Sequence, residues 1–498
     1  MKQHKKTTLN TVANLGAKVW AIVAGFVFVP FYIRFLGEDA YGLISFFTTL
    51  QSVLQLLGLS LSSSLRREFA AGERELQAAR RHKYKMLRSV ETLYGVIALI
   101  VIVFCWFGRY WIAAEWVNTT IPMEQVAQVI FLMGISIGLQ IVSNLWYGCI
   151  LGAGKQVLAN GYYFLWTLCK NVGAVGIAFV FHDLNRFYLW HILCDMLYLV
   201  VLRLYLRRYL GPQEERWHLR DLINLKPILR YTSGLFFISI VALINKQMDK
   251  AILSRYFSLS ELGAYNLAGQ LGSTASMVPN AMASALFSDF TEAVTLQQQE
   301  TIDRIYDRYT KYASALALCM GAFLAVFSRD LIWLWSGSET YANLIASAAP
   351  FLIMGYAMVS LQEIPYALAL ANGNTKINNL MGIFSLPVLV GLEWWFIPKT
   401  GVLGAGMIYG IVMSICTVVY LILIVKTYTT LSVSALLWRD LVVPLSVSLL
   451  SALAVRQFIC QGIESLLLRC GAAVFFGGVT LLVLLHRDLR DIMNLLKK

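Results

Sequence analysis

The chain has 498 residues, 58% of them hydrophobic and only 14% charged, with a mean hydropathy of +0.64, whereas soluble domains carry about 25% charged residues. A water-soluble globule is excluded, and so is a lipid-facing β-barrel, whose strands alternate apolar and polar over about ten residues, because the run from Ala98 to Phe107 does not alternate at all. The net charge of +13 lies mostly in short loops between apolar segments of about 20 residues, the length a helix needs to cross ~30 Å of hydrocarbon; this pattern points to an all-α polytopic membrane protein with no nucleic-acid partner.

In chain order, spans are predicted at 10–33, 41–65, 90–108, 123–150, 156–181, 187–206, 229–253, 262–287, 310–328, 345–370, 377–397, 402–425, 437–455 and 470–486. The first follows the basic start MKQHKK and outruns the 7 to 15 residues of a signal-peptide core, so it reads as an uncleaved span. With fourteen spans, 29 of the 41 basic residues lie on the inner side, in loops or at span ends, and 8 on the outer side, with 4 lysines inside spans. This asymmetry places both termini in the cytoplasm. The inner segments 66–89 and 207–228 are basic enough to lie on anionic lipid headgroups.

Two short patterns recur six spans apart. Tyr147, Leu151, Gly154 and Asn160 match Tyr366, Leu370, Gly373 and Asn379 at an offset of 219. The segment from Ile33 to Leu43 matches that from Leu253 to Leu267, with Arg34 over Arg255 and Tyr41 over Tyr265. An even number of intervening spans gives two parallel six-helix lobes around a central cavity. The expected organisation is an N-terminal lobe at 1–208, a basic linker at 209–228, a C-terminal lobe at 229–427, and an extra helix pair with a tail at 428–498.

The intramembrane charges are the candidate functional groups. Lys18, Lys170, Lys246 and Lys250 fall inside spans, where each costs about 2.5–3.5 kcal/mol at a helix centre, so each is expected to face a wet cavity or a partner. Asn14 shares a face with Lys18, and Asn245 and Asp249 flank Lys246. Asp195, Asp249, Glu363 and Glu393 are carboxylates that either pair with these lysines or exchange protons. Ser45, Thr48, Ser52 and Gln55 in span 2, and Gln270, Ser273, Thr274 and Asn280 in span 8, form neutral polar faces. A cationic cavity recruits an anionic ligand such as a diphosphate.

Nothing in the chain has the spacing of an enzyme or metal site. Glycines and lysine at 152–155 lack the phosphate-loop pattern, and no cofactor or metal is expected. His182 and His191 are read as interfacial, the sequon at Asn118 as incidental, and the scattered cysteines as small apolar residues, with Cys460 and Cys470 the one pair placed for a disulfide.

The segments from Leu9 to Ala70 and from Asn245 to Leu271, with FLG..AYG and QMDKAIL..Y, resemble the polysaccharide flippases of bacterial surface-glycan synthesis, within the multidrug/oligosaccharidyl-lipid/polysaccharide exporter superfamily. The resemblance covers about residues 8–430. It implies a monomeric transporter of the bacterial inner membrane, moving an undecaprenyl-diphosphate-linked oligosaccharide such as an O-antigen repeat unit outward by alternating access. Partners would be that lipid-linked oligosaccharide, anionic membrane lipids, a glycan polymerase and a chain-length regulator. Lys18 matches a cationic first-span position of lipid II flippases, and Asp249 lies in the QMDK motif. Lys18, Lys170 and Lys246 would then hold the diphosphate. A multidrug cation antiporter of the same superfamily is the alternative, and would favour carboxylates and aromatics over lysines. A membrane-embedded glycan polymerase would need a large external loop, whereas the longest non-helical segments here are inner and basic.

Overall fold

The computed structural model describes residues 16–17, 19–21, 23–70, 76–211, 244, 247–373 and 376–496, with the side chains at 53, 55–64, 66–68, 70, 76–82 and 487–496 left aside. Lys18, Asn14, Asn245 and Lys246 lie outside the described residues, as does the expected linker from 212 onward. The chain divides into two units: Met1–Leu243 with Ser258–Ser260, and Ile244–Phe257 with Glu261–Lys498.

The first unit contains α1 (Val29–Leu36), α2 (Glu38–Ala70), α3 (Leu76–Glu115), α4 (Met123–Gly152), α5 (Gln156–Phe181) and α6 (Leu184–Leu210). Helix α4 is the hub, contacting α2, α3 and α6. Its span is 67% buried within the protein against 28% for α3 and 22% for α5, so the outer helices leave their remaining apolar surface to lipid. Glycines permit the close approach: a Cβ on Gly134 would sit 2.5 Å from Cys105 Cβ, and one on Gly173 would overlap the Trp190 indole. Helix α6 starts on Asp183, whose carboxylate accepts the Asn185 N–H, and ends at Gly211 (φ 75°) with Arg207 and Arg208 in its last turn.

Outside the spans, Asp39 at the start of α2 gathers the loop after α3. Its carboxylate accepts from Thr120 N (3.1 Å), Thr119 Oγ1 (3.4 Å), Ser260 Oγ (2.5 Å) and Thr120 Oγ1. Burial pushes this carboxyl up, but hydrogen bonds from Ser260, Thr120 and Thr119 outweigh it and hold it below its usual range. The sequon threonines therefore have a structural task.

The second unit contains α7 (Leu259–Ser273), a 3₁₀ turn (Thr274–Ser276), α8 (Met277–Thr295), α9 (Gln299–Val326), α10 (Ser328–Ser336), α11 (Glu339–Ile345), α12 (Ala349–Ser360), α13 (Glu363–Ala371), α14 (Lys376–Tyr428), α15 (Val433–Leu436), α16 (Val443–Ala454) and α17 (Leu466–Leu496). Segments Leu437–Val442 and Val455–Ile459 are π-helical. α14 holds two spans joined at Gly401 (φ 64°), just after Pro398. The terminal helices pack on α9, where Cys319, Phe323 and Phe327 meet Ala452, Val455, Cys460 and Ala473. Arg469 pairs with buried Asp330 at 3.2 Å, while Cys460 and Cys470 are both free thiols.

Among the described residues, ten segments are long and apolar enough to cross a membrane; one of the ten, α14, is two helices joined across the kink at Gly401. Expected span 8 is interrupted by the 3₁₀ turn, and expected span 7 falls mostly outside the described residues, so the architecture is consistent with about fourteen. The protein is all-α. At the repeat positions Gly154 and Gly373, both glycines adopt positive φ, 73° and 66°. That shared left-handed geometry, which glycine adopts without strain, closes spans 4 and 10 alike.

Candidate functional site

In the first unit, Lys170 on α5 and Asp195 on α6 meet. Each stands about 12 residues from the turn at His182 and Asp183, so an antiparallel hairpin brings them to one depth, about 18 Å of helix rise from that turn. The ammonium donates to Asp195 Oδ1 at 2.9 Å and Oδ2 at 3.1 Å. Asp195 is fully buried and also accepts from Ser136 Oγ (2.5 Å), Gln140 Nε2 (3.0 Å) and Trp166 Nε1 (3.1 Å). Gln51 on α2 donates to Gln140, and the Lys170 ammonium stands 5.1 Å from the centre of the Trp166 ring. A buried carboxylate with a countercharge and three neutral donors is the arrangement that low dielectric demands. Of the two roles open to Asp195, the structure displays the pairing. Ser136 and Gln140 were not singled out from sequence, although two polar residues four apart in the middle of the apolar stretch of α4 carry that signal.

Farther from that turn, Glu91 on α3 accepts from Trp146 Nε1 (2.9 Å), Arg88 (3.3 Å) and Arg203. It joins α3, α4 and α6.

In the second unit, Asp249 and Lys250 are buried, with their charged groups 4.0 Å apart. Tyr265 Oη donates to Asp249 Oδ2 at 2.7 Å, and Glu393 of α14, fully buried with neither oxygen hydrogen-bonded among the described residues, lies within electrostatic reach of both Asp249 and Lys250. Two carboxylates thus share one lysine. Gln270 Oε1 is buried without a hydrogen-bond partner.

Glu363 opens α13 after a break at Leu361 and Gln362, and accepts from Asn280 Nδ2 at 2.9 Å; Gln362 donates to Thr417 at 2.7 Å. The hydroxyls of the expected polar faces largely turn back on their own helices: Ser273 and Thr274 donate to the carbonyls of Gln270 and Leu271, and Thr48 and Ser52 to those of Ser45 and Thr48. His191, read as interfacial, is in fact buried, because it stands two turns inside α6 on the face packed against neighbouring helices.

The fold is shared with solved membrane transporters. The lipid II flippase MurJ in an inward closed conformation aligns over 98% of this chain and 100% of its own, with a TM-score of 0.72 at 14% identity. An inward-facing multidrug resistance MATE family transporter of the MOP superfamily aligns over 84% of this chain and 95% of its own (TM-score 0.64, 16% identity). The MATE multidrug transporter DinF-BH gives 0.58 at 14% identity with the same coverages. No curated protein sequence matches the chain significantly. The fold is thus one found in multi-pass membrane transporters. The polysaccharide biosynthesis protein family model matches residues 7–293, more than half of the chain, and the protein belongs to that family; the MatE model matches residues 235–395.

Proposed function

We propose that this protein is a flippase of the bacterial inner membrane, with both termini cytoplasmic. It moves an undecaprenyl-diphosphate-linked oligosaccharide, an O-antigen or similar surface-glycan repeat unit, from the cytoplasmic to the periplasmic leaflet by alternating access. The observation that carries this reading is a lysine held inside the membrane, Lys170 on Asp195, in a chain of a polysaccharide biosynthesis family. A diphosphate is the ligand chemistry that an ammonium in low dielectric favours, and it can exchange for the Asp195 carboxylate as the ammonium's partner. Lys18 and Lys246 join Lys170 as diphosphate contacts, with Asn14, Asn245 and Gln270 beside them. Asp249, Lys250 and Glu393 form the coupling group of the second unit, together with Glu363, since two carboxylates sharing one lysine can take up a cation or a proton. The oligosaccharide then passes to a glycan polymerase and its chain-length regulator.

The MatE match and that carboxylate pair favour a second reading, a multidrug cation antiporter. A deletion strain separates the two. Loss of surface glycan with unchanged drug tolerance, reversed by the wild-type gene and not by a normally inserted Lys18→Ala variant, supports the flippase. Drug sensitivity with intact glycan supports the antiporter, and intact glycan with the Lys18 variant removes that residue from the site.

A further inference from the structure

Helix α6 carries buried polar groups that the ion pair does not use. Asn185, Tyr188, His191, Asp195 and Tyr198 follow at intervals of three or four residues and so share one face, over about 20 Å of rise from the outer end. Tyr188, His191 and Tyr198 are more than nine-tenths buried. Asn185 Oδ1, the Tyr188 and Tyr198 hydroxyls and both His191 ring nitrogens have no hydrogen-bond partner among the described residues. Such atoms are rarely left unpaired in a packed interior. A run of them along one helix, passing an ion pair, differs from a single packing defect.

Among the described residues, the neighbouring elements supply no substitute partner. Phe187 packs 4.4 Å from the His191 ring and Tyr188 5.7 Å from it, and Phe47 of α2 packs on Tyr188. Tyr32 of α1, in electrostatic reach of Tyr188, donates to Asn171. On α4, Ser136 and Gln140 are engaged by Asp195 and Gln128 by Asn185 Nδ2. From α5, Lys170 lies in electrostatic reach of His191, and the Trp166 indole donates to Asp195 and stacks on Tyr198 at 4.7 Å. Glu91 of α3 is held by Arg203, Arg88 and Trp146.

We propose that this face of α6 binds a file of buried water running from the outer side past the Lys170–Asp195 pair to Tyr198, with His191 as its acid–base member. Imidazole accepts a proton at one nitrogen and releases one from the other, so a proton entering from outer water passes through the ring to an Asp195 carboxylate oxygen. The new O–H bond neutralises Asp195, and the ammonium of Lys170 is left to an anionic ligand. The water file stands on the geometry alone; its effect on transport rests on the flippase reading.

The test uses the full-length protein in lipid nanodiscs and hydroxyl-radical footprinting, in which a buried side chain beside water is oxidised rapidly. Tyr188, His191 and Tyr198 are expected to label several-fold faster than Tyr94, which is as buried as Tyr188 in the same unit, and His191→Phe to slow labelling of Tyr198. Labelling of all three at the Tyr94 rate would overturn the file, whatever the substrate. In proteoliposomes translocating lipid-linked oligosaccharide, His191→Gln, which preserves polarity, is expected to abolish the dependence of rate on outer pH. An unchanged pH profile in that variant would overturn the role of His191. A protein that translocates no such lipid yet labels as expected refutes the flippase reading and leaves the file standing.

Discussion

Lys170→Met removes the ammonium while keeping an unbranched chain of similar reach. It strands the Asp195 carboxylate, which is wholly buried, on three neutral donors. Breaking one side of a buried pair costs about 3–5 kcal/mol, because the surviving charge has no compensation. Asp195→Asn strands the ammonium instead, and its cost falls in the same range. The double variant removes both charges yet keeps an oxygen facing Ser136 and Gln140, so it should recover much of the loss, the two substitutions being far from additive because they remove one shared interaction. The assay is the thermal midpoint of purified protein in detergent, read beside surface glycan in cells at matched membrane levels. Singles are expected to be destabilised and inactive, and the double stable and still inactive, because the ligand's ammonium is gone. A double variant that regains both stability and export would reduce Lys170 to a packing element. A Lys170→Met protein as stable as wild type would refute the pair itself.

Three further outcomes follow. Gly134→Val places a Cβ 2.5 Å from Cys105 Cβ and should cost about 1–3 kcal/mol by overpacking α3 against α4; Gly176→Val, with open space around it, should leave the thermal midpoint unchanged. Arg469→Ala leaves the buried Asp330 carboxylate without its ion pair, at about 1–3 kcal/mol, and should raise protease cleavage in the α16–α17 hairpin before the rest of the chain. The Asp39 carboxyl is held low in the folded protein by Ser260, Thr120 and Thr119 against the upward push of burial. Its contribution to stability is therefore complete above its unfolded value of about 4 and lost as pH falls through the folded one; Asp39→Asn should flatten that acid limb of tryptophan-monitored unfolding, and an unchanged limb would remove Asp39 from it.

The spans were legible because a hydrocarbon core imposes length and composition on every crossing helix, and the repeat was legible where Gly154 and Gly373 need the same left-handed backbone. Lys170 was legible as a charge out of place. Its partner was legible too, since Lys170 and Asp195 stand equally far from the His182 turn, a depth argument available from any helical hairpin. Tertiary packing hid the rest. The breaks at Thr274–Ser276 and at Leu361 carry no glycine or proline of their own, and the burial of His191 depends on which face of α6 its neighbours cover. The polar faces of spans 2 and 8 misled in part, because serine and threonine hydroxyls can satisfy carbonyls of their own helix.

The central claim is tested most directly by reconstituting the purified protein in liposomes with fluorescently tagged undecaprenyl-diphosphate oligosaccharide in one leaflet, and quenching the label from the other side. Transfer that depends on the protein and vanishes in the stable Lys170→Met/Asp195→Asn variant is the result the account predicts. A protein that leaves the lipid in its leaflet but exchanges an organic cation for protons would contradict it.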